Sequence, residues 1–95
     1  MNSTHLTVIR AQSDCAERLG VRLHDLLAPA RAQAGCLGFE IRQAADDPMA
    51  WWLSGTWGSP GAMQQYFAAP WLQRVLDQAL AEGLIGSLAC PEQAA

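Results

Sequence analysis

Residues 35–57, GCLGFEIRQAADDPMAWWLSGTW, contain two runs with the alternation of β-strands on either side of a polar break. In the first run, Leu37, Phe39 and Ile41 alternate with glycine or charged residues, the period of two that is typical of a strand. The same alternation in the second run predicts a second strand, so this stretch is interpreted as a β-hairpin.

The break and the tryptophans define the hairpin further. Pro48 presets its own φ angle and Asp47 can bond its own backbone, which predicts a turn between the strands. On the second strand Trp51 and Trp57 share one face and Trp52 lies on the other. This much aromatic surface must be covered by another layer of the protein or by a partner.

Before the hairpin, the sequence predicts one strand and one helix. The strand spans Leu6 to Gln12, and Ser13-Asp14 followed by Glu17 predicts a capped helix start. Pro29 interrupts the apolar stripe of this helix, so we expect a kink or an early end near Leu27. Gly35 is expected to end the segment as a left-handed cap.

After the hairpin, the sequence predicts a helix in two pieces and a final strand. Ser59 is the expected cap with Pro60 at the first helical position. Pro70 separates a second piece that stops at Gly83. A weak strand is expected over Leu84 to Cys90, and a frayed tail over Pro91 to Ala95.

The element order βαββαβ predicts an α+β, ferredoxin-like split βαβ fold with an antiparallel sheet. Right-handed crossovers give the strand order 4-1-3-2, with both helices on one face of the sheet. The other face is bare in a monomer and carries apolar side chains. We therefore expect a homodimer in which two such sheets pack face to face.

Composition bounds the class of protein. Ninety-five residues predict a single domain, 1–95, with a core over 6–90 and frayed termini. Hydrophobic residues make up 51% and charged residues 16%, which favours association. The net charge is −3 and all six basic residues are dispersed arginines, so a nucleic-acid partner is not expected. Without lysine there is no Schiff base to hold pyridoxal phosphate.

The cysteines and the N-terminus indicate a cytoplasmic chain. Cys15, Cys36 and Cys90 form no C-x-x-C pair, and neither histidine has a ligand spacing, so no metal or other cofactor is expected. Cys36 and Cys90 fall on opposite edges of the predicted sheet, which makes a disulfide between them improbable. No stretch has the ~20 apolar residues of a membrane helix, and no leader peptide is evident.

Several short motifs follow one another along the chain, and their order and spacing are informative. They are Ala-Gly-Cys-Leu-Gly-Phe from Ala34, Asp-Asp-Pro from Asp46, Trp-x-Leu-Ser-Gly-Thr-Trp-Gly-Ser from Trp51 and Gly-Ala-Met-x-x-Tyr-Phe-x-x-Pro-Trp-Leu from Gly61. Together they resemble the antibiotic biosynthesis monooxygenase family of dimeric α/β barrels. The resemblance covers Leu6 to Cys90 and implies the fold described above, paired through the sheets.

For function, the resemblance implies cofactor-independent oxygenation of a quinol or anthrone-type aromatic. A non-catalytic ligand-binding or structural dimer of the same fold is the alternative. Where the family often has Glu-x-Trp this chain has Gly55, and where it often has histidines this chain has Tyr66 and Trp71. The haem-degrading branch is disfavoured, because the first strand lacks Asn and the second helix lacks His.

The candidate site residues each have a structural interpretation as well. Tyr66 and His24 are the candidates for proton transfer; the structural alternatives are a core Tyr with its hydroxyl at the rim and a solvated His on the helix surface. Residues proposed to contact the substrate, or else to fill the core and the dimer interface, are Trp51, Trp57, Trp71 and Phe67. His5 is expected to be solvated at the start of its strand.

Two strands also carry charged residues at even positions. Arg10, Glu40 and Arg42 are expected to form ion pairs on one face of the sheet. Orientation of a substrate oxyanion is the alternative role for this group.

Overall fold

The computed structural model describes residues 2–94 and the side chains of residues 2–89. Its elements in chain order are β1 (Ser3–Ala11), α1 (Ala16–His24), α2 (Leu27–Ala32), β2 (Cys36–Gln43), β3 (Ala50–Trp57), α3 (Pro60–Phe67), α4 (Pro70–Ala81) and β4 (Ile85–Ala94). The strands form one antiparallel sheet in the order β2-β3-β1-β4. This confirms the predicted ferredoxin-like fold, with β1 and β3 in the centre and Cys36 and Cys90 on strands at opposite edges.

The β2–β3 hairpin forms as predicted. Gln43 pairs with Trp51 at its closed end. Inside the turn the Asp47 carboxylate accepts a hydrogen bond from the Met49 amide at 3.1 Å, and the Asp47 carbonyl accepts one from Ala50 at 3.0 Å. The turn is therefore held by the aspartate's own backbone and side chain.

The helical layer breaks where proline requires it. α1 ends at His24 and α2 begins at Leu27, two residues before Pro29. Pro29 lies in the first turn of α2, where its missing N–H removes no helical hydrogen bond. The predicted interruption near Leu27 is confirmed. In α3, Ser59 caps the helix by accepting a hydrogen bond from the Ala62 amide at 3.1 Å, also as predicted.

The start of α1 differs from the prediction. The cap residue is Cys15, which makes no side-chain cap hydrogen bond, instead of Ser13 or Asp14. Asp14 has a φ angle of 62°, in the left-handed region that Asp tolerates better than most residues. The Cys15 amide then bonds back to the Gln12 carbonyl at 3.0 Å. Asp14 thus belongs to a tight turn and its side chain is not used as a cap.

The first and last strands of the chain are longer than the sequence predicts. β1 begins at Ser3 instead of Leu6, and β4 continues to Ala94 through the segment expected to fray. Thr4 pairs with Ala94 and with Thr56, so the first residues of β1 have strand neighbours on both sides. Ala95, the last residue of the expected tail, lies outside the described residues.

The two faces of the sheet have different surroundings. Odd-numbered residues of β1 and β3 point toward the helices, and Ile9, Leu53 and Trp57 are buried there. On the opposite face Val8 pairs with Trp52, whose side chain is 44% exposed. One face is therefore covered by the helices, and the other presents an apolar centre.

Helix α1 packs on β3 through a glycine. A Cβ added at Gly20 would collide with the ring of Trp51, whose Nε1 donates to the Ala16 carbonyl at 2.9 Å. We expect Gly20→Ala to lower the free energy of unfolding by about 1–3 kcal/mol, because displacing the ring outweighs the gain in helix propensity. Gly61→Ala, in an open position of α3, is the control and should raise stability by up to ~1 kcal/mol. Urea unfolding of both variants checks this, and equal effects would contradict it.

Candidate functional site

An aromatic cluster between the sheet and α3 is the most distinctive feature of the interior. Its centre is Tyr66, which is 1% exposed. Five rings surround it with centroid distances of 4.9 Å (His5), 5.0 Å (Trp57), 5.1 Å (Phe67), 5.5 Å (Phe39) and 5.8 Å (Trp71). Three of the proposed substrate-contacting residues are therefore grouped around Tyr66, one of the two proposed proton-transfer residues.

Local sequence explains how α3 presents Tyr66. The Ser59 cap and Pro60 fix the start of the helix, and Met63 and Tyr66 then lie one turn apart on its buried side. Trp71 follows at the start of α4, after the break at Pro70. The spacing of Met63 and Tyr66 thus places the phenol ring against the sheet.

His5 is part of this cluster, and the expectation of a solvated His5 was wrong. It is 3% exposed, and its ring lies 4.9 Å from Tyr66, stacked, and 5.0 Å from Phe67, edge to face. His5 is buried because β1 is central: the residue pairs with Gly55 on β3 and with Gln93 on β4. The alternation of residues 3–9 in the sequence indicated this burial. His5 lies four residues before Ile9 and therefore on the same, buried face of the strand.

Gly55 makes room for His5. A Cβ added at Gly55 would collide with His5 Nε2 and lie 2.8 Å from Trp57 Nε1. Only glycine fits this position without displacing one of the two rings. The glycine that replaces the Glu of Glu-x-Trp therefore allows an imidazole from the neighbouring strand to occupy this space.

Among the side chains that the structure describes, four buried polar atoms in this region have no hydrogen-bond partner: Ser3 Oγ, His5 Nδ1, His5 Nε2 and Trp57 Nε1. Ser3 pairs with Trp57 across β1 and β3, and His5 is two residues further along the same face. We call these three side chains the polar corner. An unsatisfied buried group costs about 1–3 kcal/mol, so the corner lowers the stability of the fold as it stands.

The imidazole of the corner is neutral at physiological pH. Burial alone lowers the pKa of His5 from 6.5 to about 4, since the charged form loses its hydration. A neutral imidazole has one N–H donor and one acceptor nitrogen. The corner therefore has both donor and acceptor capacity without a net charge.

A small cavity adjoins the aromatic cluster. Its volume is about 80 Å³, and its lining is Thr7, Ile9, Leu53, Tyr66, Phe67, Leu72, Leu76 and Leu88. It lies between sheet and helices beside Tyr66, with Leu88, 46% exposed, at its rim. A cavity of about 150 Å³ is known to take up one benzene ring, so a substrate ring would need a side chain at the rim to turn aside.

Comparison with known proteins assigns the chain to a family. The family model described as antibiotic biosynthesis monooxygenase matches residues 3–78. The chain belongs to this family. The matched segment contains the whole polar corner and all but one of the residues that line the cavity beside Tyr66. No curated protein matches the chain.

Solved structures share the fold of this monooxygenase-family chain. PA3566 from Pseudomonas aeruginosa is 26% identical, with 97% of this chain and 90% of that chain covered and a TM-score of 0.84. SO0527 from Shewanella oneidensis is 20% identical, with coverages of 99% and 93% and a TM-score of 0.86. Rv0793 from Mycobacterium tuberculosis is 20% identical, with coverages of 100% and 94% and a TM-score of 0.84.

The remaining two candidate residues, His24 and Trp51, lie in a separate, open cleft of about 650 Å³. His24 is exposed there, with Nδ1 2.6 Å from the Gly20 carbonyl oxygen and its ring edge-on to Trp51 at 5.9 Å. Neither residue lines the cavity beside Tyr66. The structure therefore does not bring together the two proposed proton-transfer residues, Tyr66 and His24.

The remaining polar features lie outside the aromatic cluster. Arg42 pairs with Glu40 at 2.9 Å on the bare face of the sheet, as predicted, whereas Arg10 pairs with Asp47 of the turn instead. The Arg10 hydrogen bond lowers the pKa of the Asp47 carboxyl. Among the described residues, no three His, Cys, Asp or Glu side chains are grouped as metal ligands, and no helix in residues 2–94 is both long and apolar enough to cross a membrane.

The lowered pKa of His5 predicts a pH-dependent stability. As the pH falls from 6.5 toward 4, the unfolded chain binds a proton on His5 that the folded chain does not, so stability is lost in this window. The loss from His5 should be about 2 kcal/mol between pH 7 and pH 5. Urea unfolding at both pH values should show a smaller decline for His5→Phe than for wild type. His24→Phe is the control, and a decline in His5→Phe equal to that of wild type would contradict the prediction.

Proposed function

We propose that this family member is a cofactor-independent monooxygenase that acts on an electron-rich aromatic of the quinol or anthrone type. The observation that carries the proposal is the apolar cavity beside Tyr66, located between sheet and helices in a chain of the monooxygenase family. Such a site binds a flat aromatic by ring stacking and excludes water from a reactive anion.

The reaction needs no reductant beyond the substrate. A substrate CH₂ group between aromatic rings loses two protons and four electrons, and O₂ accepts all four electrons. One oxygen atom forms the new C=O bond, and the other leaves as water with the two hydrogens. The protein's part is to bind the ring, assist loss of the first proton and hold the resulting anion beside O₂.

The proposal assigns roles by location. Tyr66 and Phe67 line the cavity, and Trp57 and Trp71 contact Tyr66, so these rings would form the walls around the substrate. His24 would transfer a proton only for a substrate held in the open cleft next to Trp51. Variants in the cavity and variants in the open cleft should therefore have different effects on activity.

Filling the cavity tests the location. We expect Leu76→Phe to lower oxygen uptake with anthrones and quinols by about tenfold or more, because misplacing the ring by ~1 Å removes the productive geometry. Leu80→Phe, on the exposed side of the same helix, is the control and should keep wild-type activity. An oxygen electrode and chromatography of the quinone product measure both, with a protein-free blank for autoxidation.

The same assay separates the two groups of residues. Tyr66→Phe should reduce uptake, and His24→Ala should leave it unchanged if the cavity beside Tyr66 is the site. Wild-type uptake no greater than that of the Tyr66→Phe, His24→Ala double variant would overturn the monooxygenase proposal and favour a binding protein.

We also propose a homodimer formed through the bare sheet face. Members of the family are typically dimeric. In this chain Leu6 and Val8 of β1 and Trp52 of β3 form an apolar centre on that face, and the Arg42–Glu40 pair lies at its margin. Packing two such faces together would bury Trp52 and leave the charged pair at the rim.

Trp52→Asp should convert the dimer to a monomer, because a carboxylate at the centre of the face would be buried without a partner. Val21→Asp, at an exposed position of α1, is the control and should leave the dimer intact. Light scattering coupled to size exclusion at micromolar concentration gives the masses. A wild-type monomer would contradict the proposal.

A cytoplasmic location is proposed on the state of the thiols. Cys15 and Cys36 are free. Free thiols are typical of reducing compartments.

A further inference from the structure

We propose that the polar corner of Ser3, His5 and Trp57 recognises the hydroxyl group of the substrate, with His5 as the residue that selects for it. This inference rests on the proposed function, since it places the oxygen-bearing end of the aromatic substrate. It adds a binding role for Ser3 and His5.

The first argument is hydrogen-bond capacity. A hydroxyl group both donates and accepts, and the corner offers both partners: the acceptor nitrogen of His5, and the N–H of Trp57 or of His5 itself. Filling the corner would satisfy atoms whose exposure to an apolar interior costs about 1–3 kcal/mol each. A site with this cost favours a ligand that supplies the missing partners.

The second argument is charge. The pKa of His5 is lowered by burial alone, with no charged neighbour contributing. An anion or cation entering the corner would lose its hydration without a counter-ion, which is expensive. The corner therefore suits a neutral hydroxyl, such as a phenol, and disfavours a carboxylate or an ammonium group.

The third argument is continuity with the cavity. Tyr66 and Phe67 line the cavity, and the same two rings contact His5 at 4.9 and 5.0 Å. Phe67 is only partly buried, at the end of α3. Rotation of Phe67 would let a ring bound in the cavity reach His5 with its hydroxyl.

The experiment compares two ligands that differ only at the recognised group. One is 2-naphthol, and the other is 2-fluoronaphthalene, in which fluorine replaces the hydroxyl at similar size. We expect wild-type protein, without oxygen, to bind 2-naphthol at least about tenfold more tightly, as one to two hydrogen bonds imply. His5→Phe should reduce this ratio to near one, whereas Leu80→Phe, at an exposed position of α4, should leave it unchanged.

A second measurement needs only wild-type folding. In ¹H–¹⁵N spectra, 2-naphthol should shift the indole N–H signal of Trp57, assigned with Trp57→Phe. The signal of Trp52, on the opposite face of the sheet, should move little. This readout stands even if His5→Phe fails to fold.

Three results would overturn the inference: no binding of 2-naphthol, equal binding of both ligands, or binding that leaves the Trp57 indole signal unmoved. None of them uses oxygen uptake. If the corner selects 2-naphthol but no quinol or anthrone is oxygenated, the monooxygenase proposal fails and the binding role of His5 stands. If quinols or anthrones are oxygenated but the protein does not select 2-naphthol, the proposed role of His5 fails and the monooxygenase proposal stands.

Discussion

The position of β1 in the centre of the sheet is the constraint on which the rest of the structure depends. Hydrogen bonds to β3 on one side and β4 on the other fix its register, and a slip of one residue would exchange its two faces. The alternation that buries Ile9 under the helices must then also bury Ser3 and His5. Thr7, between them and Ile9, is buried on the same face, so three polar side chains lie in the interior because one end of the strand cannot reverse its faces independently of the other.

Patterns confined to neighbouring residues were sufficient to predict most of the fold. The hairpin depends on the Asp47-Pro48 turn and on a period of two on either side, both of which are local. The helix interruption near Pro29 has a steric cause that acts within one turn. The strand order follows from the element order and the handedness of crossovers, which the sequence also contains.

What the sequence did not predict depends on contacts between distant residues. His5 was expected in solvent because it is near the N-terminus, but its burial depends on pairing with strands more than forty residues away. Asp14 has the residue type of a cap, yet the backbone closes a turn there instead. Tyr66 and His24 can both take part in proton transfer. They line different spaces because α3 and α1 pack at different places on the sheet, which the sequence alone does not show.

The pairing of His5 with Gly55 shows how two neighbouring strands can each supply a polar side chain to one place in the fold. In the family pattern, Glu-x-Trp puts a carboxylate on β3, two residues before the tryptophan. Here Gly55 removes that side chain, and His5 from the adjacent strand fills the vacated space against Trp57. A polar group therefore lies beside Trp57 in this chain as well, as a neutral imidazole from β1 in place of a carboxylate from β3. The sequence of β3 alone shows only that the carboxylate is absent, whereas the cross-strand register shows that the His5 imidazole occupies the space beside Gly55.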